Sequence, residues 1–232
     1  MAITVIQFLT HYIYLTNSVV LLLIALALYG VFEDQRRTMM ISGLMSAPWA
    51  FASIVFVPDY WDPVRIASFL TGPEDLIFSF SNGVIVWAIA AVPFRGEISI
   101  RMDFRRMMKR AVLLSFLSFI ITMSLWYLGL KIMGAVFICL SITITLLVVW
   151  PCREFRILCV HGAIGFTLFY GILTSLCFLF FPHFLEQWNL ANLSGVLILN
   201  VPIEEIIWAF GFGAYWPLYM AYILDAKRTD KG

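Results

Sequence analysis

Long apolar runs, separated by short polar breaks, follow one another along the whole chain. The breaks are centred on 33–37, 58–72, 95–110, 151–156 and 182–193, with a weaker one near Lys131. Each intervening run is about the 20 residues that a helix needs to cross the hydrocarbon core. The pattern predicts an all-α fold, a polytopic membrane helix bundle with about seven transmembrane helices. The predicted helices are 7–32, 38–57, 73–94, 111–130, 132–150, 157–181 and 198–223.

Composition supports lipid as the surrounding solvent. Hydrophobic residues make up 62% of the 232 residues, and charged residues only 12%. Soluble domains have about 45–50% apolar and about 25% charged residues. So few charges could not cover the surface of a soluble protein of this size, and an integral membrane protein is expected.

The basic residues are divided unequally between the two faces that this helix count defines. One face, with the N-terminus, has only two of the 15 lysines and arginines, Arg65 and Lys131, and the other face has thirteen. Basic residues concentrate on the cytoplasmic side of membrane proteins. The division predicts an N-terminus outside and a C-terminus in the cytoplasm, in the cell inner (plasma) membrane. The net charge of +1 does not indicate a nucleic-acid partner.

A sequence repeat relates two of the predicted helices. Residues 72–83, GPEDLIFSFSNG, match residues 202–213, PIEEIIWAFGFG, at an offset of 130. Both copies begin a helix that runs inward from the outer face, which indicates parallel repeats related by an axis along the membrane normal. The predicted organisation is a first three-helix repeat at 1–94, a basic loop and linker helix at 95–131, and a second three-helix repeat with a cytoplasmic tail at 132–232.

Each copy places two adjacent acids at the start of a membrane helix: Glu74 with Asp75, and Glu204 with Glu205. Carboxylates at membrane depth are costly and usually functional. The repeat symmetry predicts that both pairs approach one cavity. A second interpretation stays open, because acids in the first turn of a helix are also stabilised by the helix dipole.

Helical spacing extends both motifs. Asp75, Ser79 and Asn82 form a polar stripe at i, i+4 and i+7. In the second copy, Glu204, Trp208, Gly211 and Tyr215 form a mostly aromatic stripe. The stripes suit contact with a ligand, although Ser and Asn also hold membrane helices together by hydrogen bonds.

With these motifs, the chain resembles the integral-membrane lycopene cyclase domain family. The family has a Pro-x-Glu-Glu motif followed by aromatic residues at the head of a membrane helix, and residues 202–205, PIEE, match it. Residues 72–75, GPED, match less well, because the proline is one position closer to the acids and Asp replaces the second Glu. The loop 59–63, DYWDP, is also similar to two-repeat members of the family.

The resemblance implies a redox-neutral, acid–base cyclisation of the ends of a linear polyene, an intramolecular lyase or isomerase activity in carotenoid biosynthesis. Under it, Glu204 and Glu205 are the acid and base, and Glu74 and Asp75 complete the site. The substrate-binding residues are expected to be Phe78, Asn82, Trp208, Phe210 and Tyr215. Aromatic faces among them would stabilise a carbocation.

No cofactor is expected. There is no GxGxxG fingerprint for a dinucleotide, no DxxxD pair for magnesium diphosphate, and the histidines and cysteines lack metal-ligand spacing. The expected partners are a hydrophobic polyene, membrane lipid and, as an open alternative, other membrane proteins. Two other functions also stay open: a non-catalytic carotenoid- or quinone-binding subunit of a larger complex, and a proton-coupled transporter.

Overall fold

The computed structural model describes residues 4–67 and 71–229. Residues 68–70 of the predicted outer loop 58–72, and Lys231 of the predicted cytoplasmic tail, lie outside the described residues.

The described residues form nine α-helices joined by short segments. The helices are α1 (Val5–His11), α2 (Ile13–Val31), α3 (Arg36–Ser46), α4 (Ser53–Phe56), α5 (Pro73–Ala91), α6 (Phe104–Tyr127), α7 (Ile132–Val149), α8 (Arg156–Phe180) and α9 (Ile203–Ile223). Turns of 3₁₀ helix occupy Glu33–Gln35, Ala47–Ala52, Val92–Phe94, Arg153–Phe155, Pro182–Gln187 and Leu190–Asn192.

Two very short antiparallel strand pairs complete the secondary structure of the described residues. Strand β1 (Ile98–Ser99) pairs with β4 (Lys227–Arg228), and β2 (Leu197–Ile198) pairs with β3 (Val201–Pro202).

Seven helical segments of the described chain are long and apolar enough to cross a membrane. They are Ile13–Val31, Glu33–Phe56, Pro73–Phe94, Phe104–Tyr127, Ile132–Val149, Arg153–Phe180 and Ile203–Ile223. Each corresponds to one helix expected from the sequence. The predicted all-α polytopic membrane class, with about seven transmembrane helices, is confirmed.

The predicted helix boundaries differ most at α6, which begins at Phe104 rather than at 111. The side chain of Asp103 accepts a hydrogen bond from the backbone N–H of Arg106 at 3.1 Å, and so caps the helix. Arginine and lysine are good helix formers, so the basic segment continues the helix beyond its apolar part.

The second span, and the start of the predicted seventh helix, also depart from simple helices. In the second, 3₁₀ helix at Ala47–Ala52 separates α3 from α4, and Pro48 lies at its start. In the seventh, residues 197–202 form the β2–β3 hairpin, and α9 begins only at Ile203. The predicted helix start at 198 was therefore too early.

The chain divides into two compact units. The first contains Met1–Ile85 and Tyr170–Ile206, and the second contains Val86–Phe169 and Ile207–Gly232. These ranges differ from the predicted repeats at 1–94 and 132–232, which concern sequence similarity rather than compactness. The repeat organisation stays a prediction.

In the first unit, α3 packs closely against α5 through small residues. The Ser42 hydroxyl donates to the backbone carbonyl of Gly83 at 2.6 Å, and Gly43 lies against the ring of Phe80. Small residues allow membrane helices to approach closely where lipid offers no hydrophobic driving force. This packing fixes α5, whose first turn contains Glu74 and Asp75.

In the second unit, α8 and α9 meet at two glycines, Gly162 and Gly213, where a Cβ on either would collide with the carbonyl oxygen of the other. Near the C-terminus, Arg110 of α6 donates to Asp225 at 3.0 Å and to the carbonyl oxygen of Tyr222 at 2.6 Å. These contacts fix the end of α9 to the start of α6.

Candidate functional site

All four acids of the repeated motif are buried, and all belong to the first compact unit. Glu74 and Asp75 lie in the first turn of α5, and Glu204 and Glu205 lie in the first turn of α9. The most exposed of them, Glu204, has 9% of its surface accessible. Because buried charge is costly, each carboxyl needs partners that compensate for lost water.

The first acid of each motif holds the segment that precedes its own helix. Glu74 accepts a hydrogen bond from the backbone N–H of Ile66 at 2.7 Å. Glu204 accepts one from the backbone N–H of Ser194, also at 2.7 Å. In each case one carboxyl oxygen, Oε1, makes this bond. The other, Oε2, is buried without a hydrogen-bond partner in Glu74 and in Glu204. The two motifs therefore share a local structure as well as a sequence.

The second acid of the first motif, Asp75, is paired with a buried arginine. The guanidinium of Arg65 contacts both carboxylate oxygens, at 3.1 and 3.3 Å. The side chains of Arg65 and Asp75 are 6% and 4% exposed. Tyr14 donates to the same carboxylate at 2.9 Å, and so does the backbone N–H of Gly72 at 2.7 Å. The bond to Gly72 is half of a capping box, so Asp75 also stabilises the start of α5.

The second acid of the second motif, Glu205, has three aromatic hydrogen-bond donors. Tyr60 and the Trp188 indole both donate to Oε1, the latter at 2.9 Å, and Tyr170 donates to Oε2 at 2.6 Å. All three are donors, the partners that an ionised carboxylate takes. Burial, and then the adjacent Glu205, raise the pKa of the Tyr60 hydroxyl well above its ordinary value of 10.0, so Tyr60 stays a donor at neutral pH.

Aromatic rings link the partners of Asp75 to the partners of Glu205. Tyr14 packs edge-on against Trp61, with ring centroids 4.5 Å apart, and Trp61 lies 5.7 Å from Trp188. A second route runs from Tyr14 through Phe78 to Tyr170, with centroid distances of 5.9 and 6.5 Å. The two acidic pairs are therefore connected through a series of aromatic ring contacts.

The loop that contains Tyr60 and Trp61 is hydrogen-bonded to the loop that contains Trp188. The N–H of Asp62 donates to the carbonyl of Gln187 at 2.7 Å, and the N–H of Asn189 donates to that of Tyr60 at 3.0 Å. They form an isolated antiparallel bridge at Trp61 and Trp188. Tyr60 and Trp188 are both buried, and both are hydrogen-bonded to Glu205.

The predicted substrate-binding residues fall into two groups. Phe78 and Asn82 belong to the unit that holds the four acids, and the amide of Asn82 donates to the carbonyl of Phe78 at 3.0 Å. Trp208, Phe210 and Tyr215 belong to the second unit. Phe210 is 53% exposed, which is typical of a lipid-facing residue rather than of a buried site wall.

Trp208 and Tyr215 are packed within the second unit. The Trp208 ring stacks on Phe212 at 5.2 Å and contacts Phe166 edge-on at 6.3 Å. Tyr215 is buried. The roles of these residues in substrate binding stay predictions.

Five site residues were not identified from the sequence: Tyr14, Tyr60, Arg65, Tyr170 and Trp188. Arg65 carried a signal, because it is one of only two basic residues on the predicted outer face. Tyr14 and Tyr170 lie within apolar helices and are hard to distinguish by pattern from ordinary packing residues.

No metal site is indicated in the part of the chain that the structure describes, since no three His, Cys, Asp or Glu side chains are grouped to hold an ion. Comparison of the chain with protein-family models, with curated proteins and with solved structures finds no match.

Proposed function

We propose that this chain is a membrane enzyme that cyclises the end groups of a linear polyene by acid–base chemistry, in the manner of the lycopene cyclases. One observation carries the proposal. Glu204 has a buried carboxyl oxygen without a partner, and it is adjacent in sequence to Glu205, which accepts three aromatic donors.

The two carboxyls suit different steps of such a reaction. The cyclisation needs a proton on the terminal double bond, closure of a six-membered ring by the resulting carbocation, and loss of a proton from a different carbon. The unpartnered Oε2 of Glu204 is available to carry the donated proton. Glu205, held by Tyr60, Tyr170 and Trp188, is the fixed negative charge that stabilises the cation and accepts the departing proton.

The first motif has a supporting role in this proposal. Arg65 neutralises Asp75, so Asp75 is not the proton donor. Glu74 resembles Glu204 in having an unpartnered Oε2, and it is the candidate second acid. Phe78 and Tyr170 contribute ring faces beside both motifs, and aromatic faces attract cations.

Expression in a host that accumulates lycopene tests the proposal. The wild-type chain should convert the pigment into cyclic products with altered colour and retention time, whereas Glu204→Gln and Glu205→Gln should leave it linear. The control is Glu186→Gln, because the Glu186 side chain is 73% exposed. Unchanged pigment with the wild-type chain, in membranes that contain the protein, would refute the proposal.

A second candidate is a carotenoid- or quinone-binding membrane subunit without catalytic activity. The structure of the first motif favours it, because Arg65, Tyr14 and Gly72 already satisfy Asp75, as in a purely structural site. This candidate predicts that the purified protein carries unaltered pigment or retains partner subunits. Turnover of lycopene therefore separates the two functions.

The membrane orientation is part of the same proposal. The thirteen-to-two distribution of basic residues supports a C-terminus on the cytoplasmic side of the cell inner (plasma) membrane. A C-terminal reporter that is active only in the cytoplasm should be active on this chain, and activity of a periplasmic reporter in its place would reverse the orientation.

A further inference from the structure

A small apolar hairpin precedes α9 and is exposed at its tip. Strands β2 and β3 are joined by Leu199 and Asn200, and the side chains from Val196 to Leu199 are all exposed. Residues 187–203 contain no Asp, Glu, Lys or Arg. A contiguous exposed apolar segment of this kind marks an interaction surface.

The depth of the hairpin is given by a hydrogen bond to a membrane span. The Ser175 hydroxyl of α8 donates to the carbonyl oxygen of Leu199 at 2.8 Å. Ser175 lies within the span Arg153–Phe180, about 7.5 Å from its end at 1.5 Å per residue. The hairpin tip is therefore alongside the membrane segment and not beyond it.

The face of α8 that meets the hairpin is itself exposed and apolar. Ile172 and Leu179 lie three residues before and four residues after Ser175, on the same helix face, and both are exposed. In a membrane-spanning helix such a face contacts lipid. The apolar side chains of the hairpin extend this lipid-facing surface.

The backbone of the hairpin turn also favours contact with lipid. Leu199 and Asn200 have φ of 51° and 64°, which fits a two-residue hairpin turn in which Asn-Gly is usual. A bulky leucine rarely adopts positive φ. Here Leu199 does so with 75% of its surface exposed, and contact between this apolar side chain and lipid would offset the cost of the backbone conformation.

We infer that residues 196–199 are a lipid-contact surface inserted into the membrane interface beside the end of α8. Insertion stops at the interface, because the backbone groups of the turn need polar partners that the hydrocarbon core does not supply.

Two hydrogen bonds join this surface to the acidic motif. The Ile203 N–H donates to the Val196 carbonyl at 2.9 Å, and the Ser194 N–H donates to Glu204. Contact with the membrane thereby helps to position the segment that is hydrogen-bonded to Glu204.

Fluorescent labelling in lipid nanodiscs tests this inference. The native cysteines of the chain are first replaced by alanine, and the elution volume and melting temperature of this variant are compared with those of wild type. A single cysteine is then introduced as Leu199→Cys or as Ile198→Cys. The label is then quenched separately by aqueous iodide and by lipids that carry a nitroxide. Glu186→Cys is the aqueous control and Leu168→Cys the lipid control, since both side chains are exposed.

Labels at positions 198 and 199 should be quenched by nitroxide lipid, with iodide quenching far weaker than at position 186. Iodide quenching equal to that at position 186 would overturn the inference. So would protection from both quenchers, which would indicate a protein partner or a second copy of the chain. Because these results do not depend on turnover, they are independent of the proposed enzyme activity.

Discussion

Tyr60 donates its phenolic hydrogen to the carboxylate of Glu205, a residue 145 positions further along the chain. This bond joins a loop that follows the second span to the first turn of the seventh. It makes Glu205 the centre of a buried polar cluster, with Tyr170 and Trp188 as its other donors. Such clusters rigidify a structure when all members are satisfied and weaken it when one is lost.

Substitution by glutamine should change the stability of the protein differently at Glu205 and at Glu204. In Glu205→Gln, an amide N–H₂ faces groups that are themselves donors, so at least one hydrogen bond is lost and stability falls by about 1–3 kcal/mol. In Glu204→Gln, the bond from Ser194 to Oε1 remains possible and Oε2 has no partner to lose.

Thermal unfolding in one detergent measures both variants against wild type. We expect Glu205→Gln to lower the midpoint clearly and Glu204→Gln to lower it less, although both should abolish cyclisation. Equal loss of stability would contradict the cluster described around Glu205.

Arg65 and Asp75 form a buried ion pair whose partners depend on each other. Arg65→Met leaves the buried Asp75 carboxylate without its counter-ion and should destabilise the protein by about 3–5 kcal/mol. The double variant Arg65→Met with Asp75→Asn removes both charges and should recover much of that loss. A double-mutant cycle from unfolding midpoints tests this coupling. Additive losses would show that the pair is not energetically coupled.

The contact between Gly162 and Gly213 predicts a selective effect of adding one methyl group. Gly162→Ala places a Cβ against the Gly213 carbonyl and should lower stability by about 1–3 kcal/mol, as overpacking does. Gly134→Ala is the matched control, since no atom lies within 4 Å of the Cβ position at Gly134. There alanine should raise stability by about 0.5–1 kcal/mol, because it restricts the unfolded chain and favours helix. Similar midpoints for the two variants would argue against the close approach.

We expect the stability of the protein to depend on pH through Asp225, which follows the end of α9. The hydrogen bond from Arg110, with its positive charge, lowers the pKa of Asp225 below its ordinary value of 3.8. A depressed pKa contributes stability that is present above the ordinary value and is lost as the pH falls through the lowered one.

Asp225→Asn lacks this contribution. Between neutral pH and about pH 3, the unfolding midpoint of wild type should therefore fall more steeply than that of the variant. Parallel pH profiles would mean that the pair contributes nothing to stability.

Much of the fold was predictable from hydrophobic pattern alone. Each of the seven predicted membrane helices matches a span, because the length of an apolar run directly reflects the thickness that it must cross. The starts of α6 and α9 were not predictable in the same way. A basic segment can continue a helix, and an apolar segment such as 197–202 can form a hairpin, so hydropathy does not distinguish these cases.

Of the candidate site, only the acidic residues were predictable from the sequence. Two adjacent carboxyls at membrane depth are conspicuous, and their repetition made Glu74, Asp75, Glu204 and Glu205 candidates. Their partners were not conspicuous, because Tyr170 and Trp188 are ordinary residues for an aromatic-rich membrane protein. Which of many tyrosines meets a given carboxylate depends on contacts between residues far apart in sequence, such as Tyr60 and Glu205, and local pattern does not encode them.

Cyclisation in heavy water tests the proposed chemistry most directly. The donated proton exchanges with solvent and stays on the ring, while the departing proton leaves from another carbon. Membranes that contain the wild-type chain, incubated with lycopene in D₂O, should therefore yield cyclic pigment one mass unit heavier per ring, and Glu204→Gln membranes should yield none. Recovery of linear, undeuterated lycopene from wild-type membranes would contradict an acid–base role for these carboxyls.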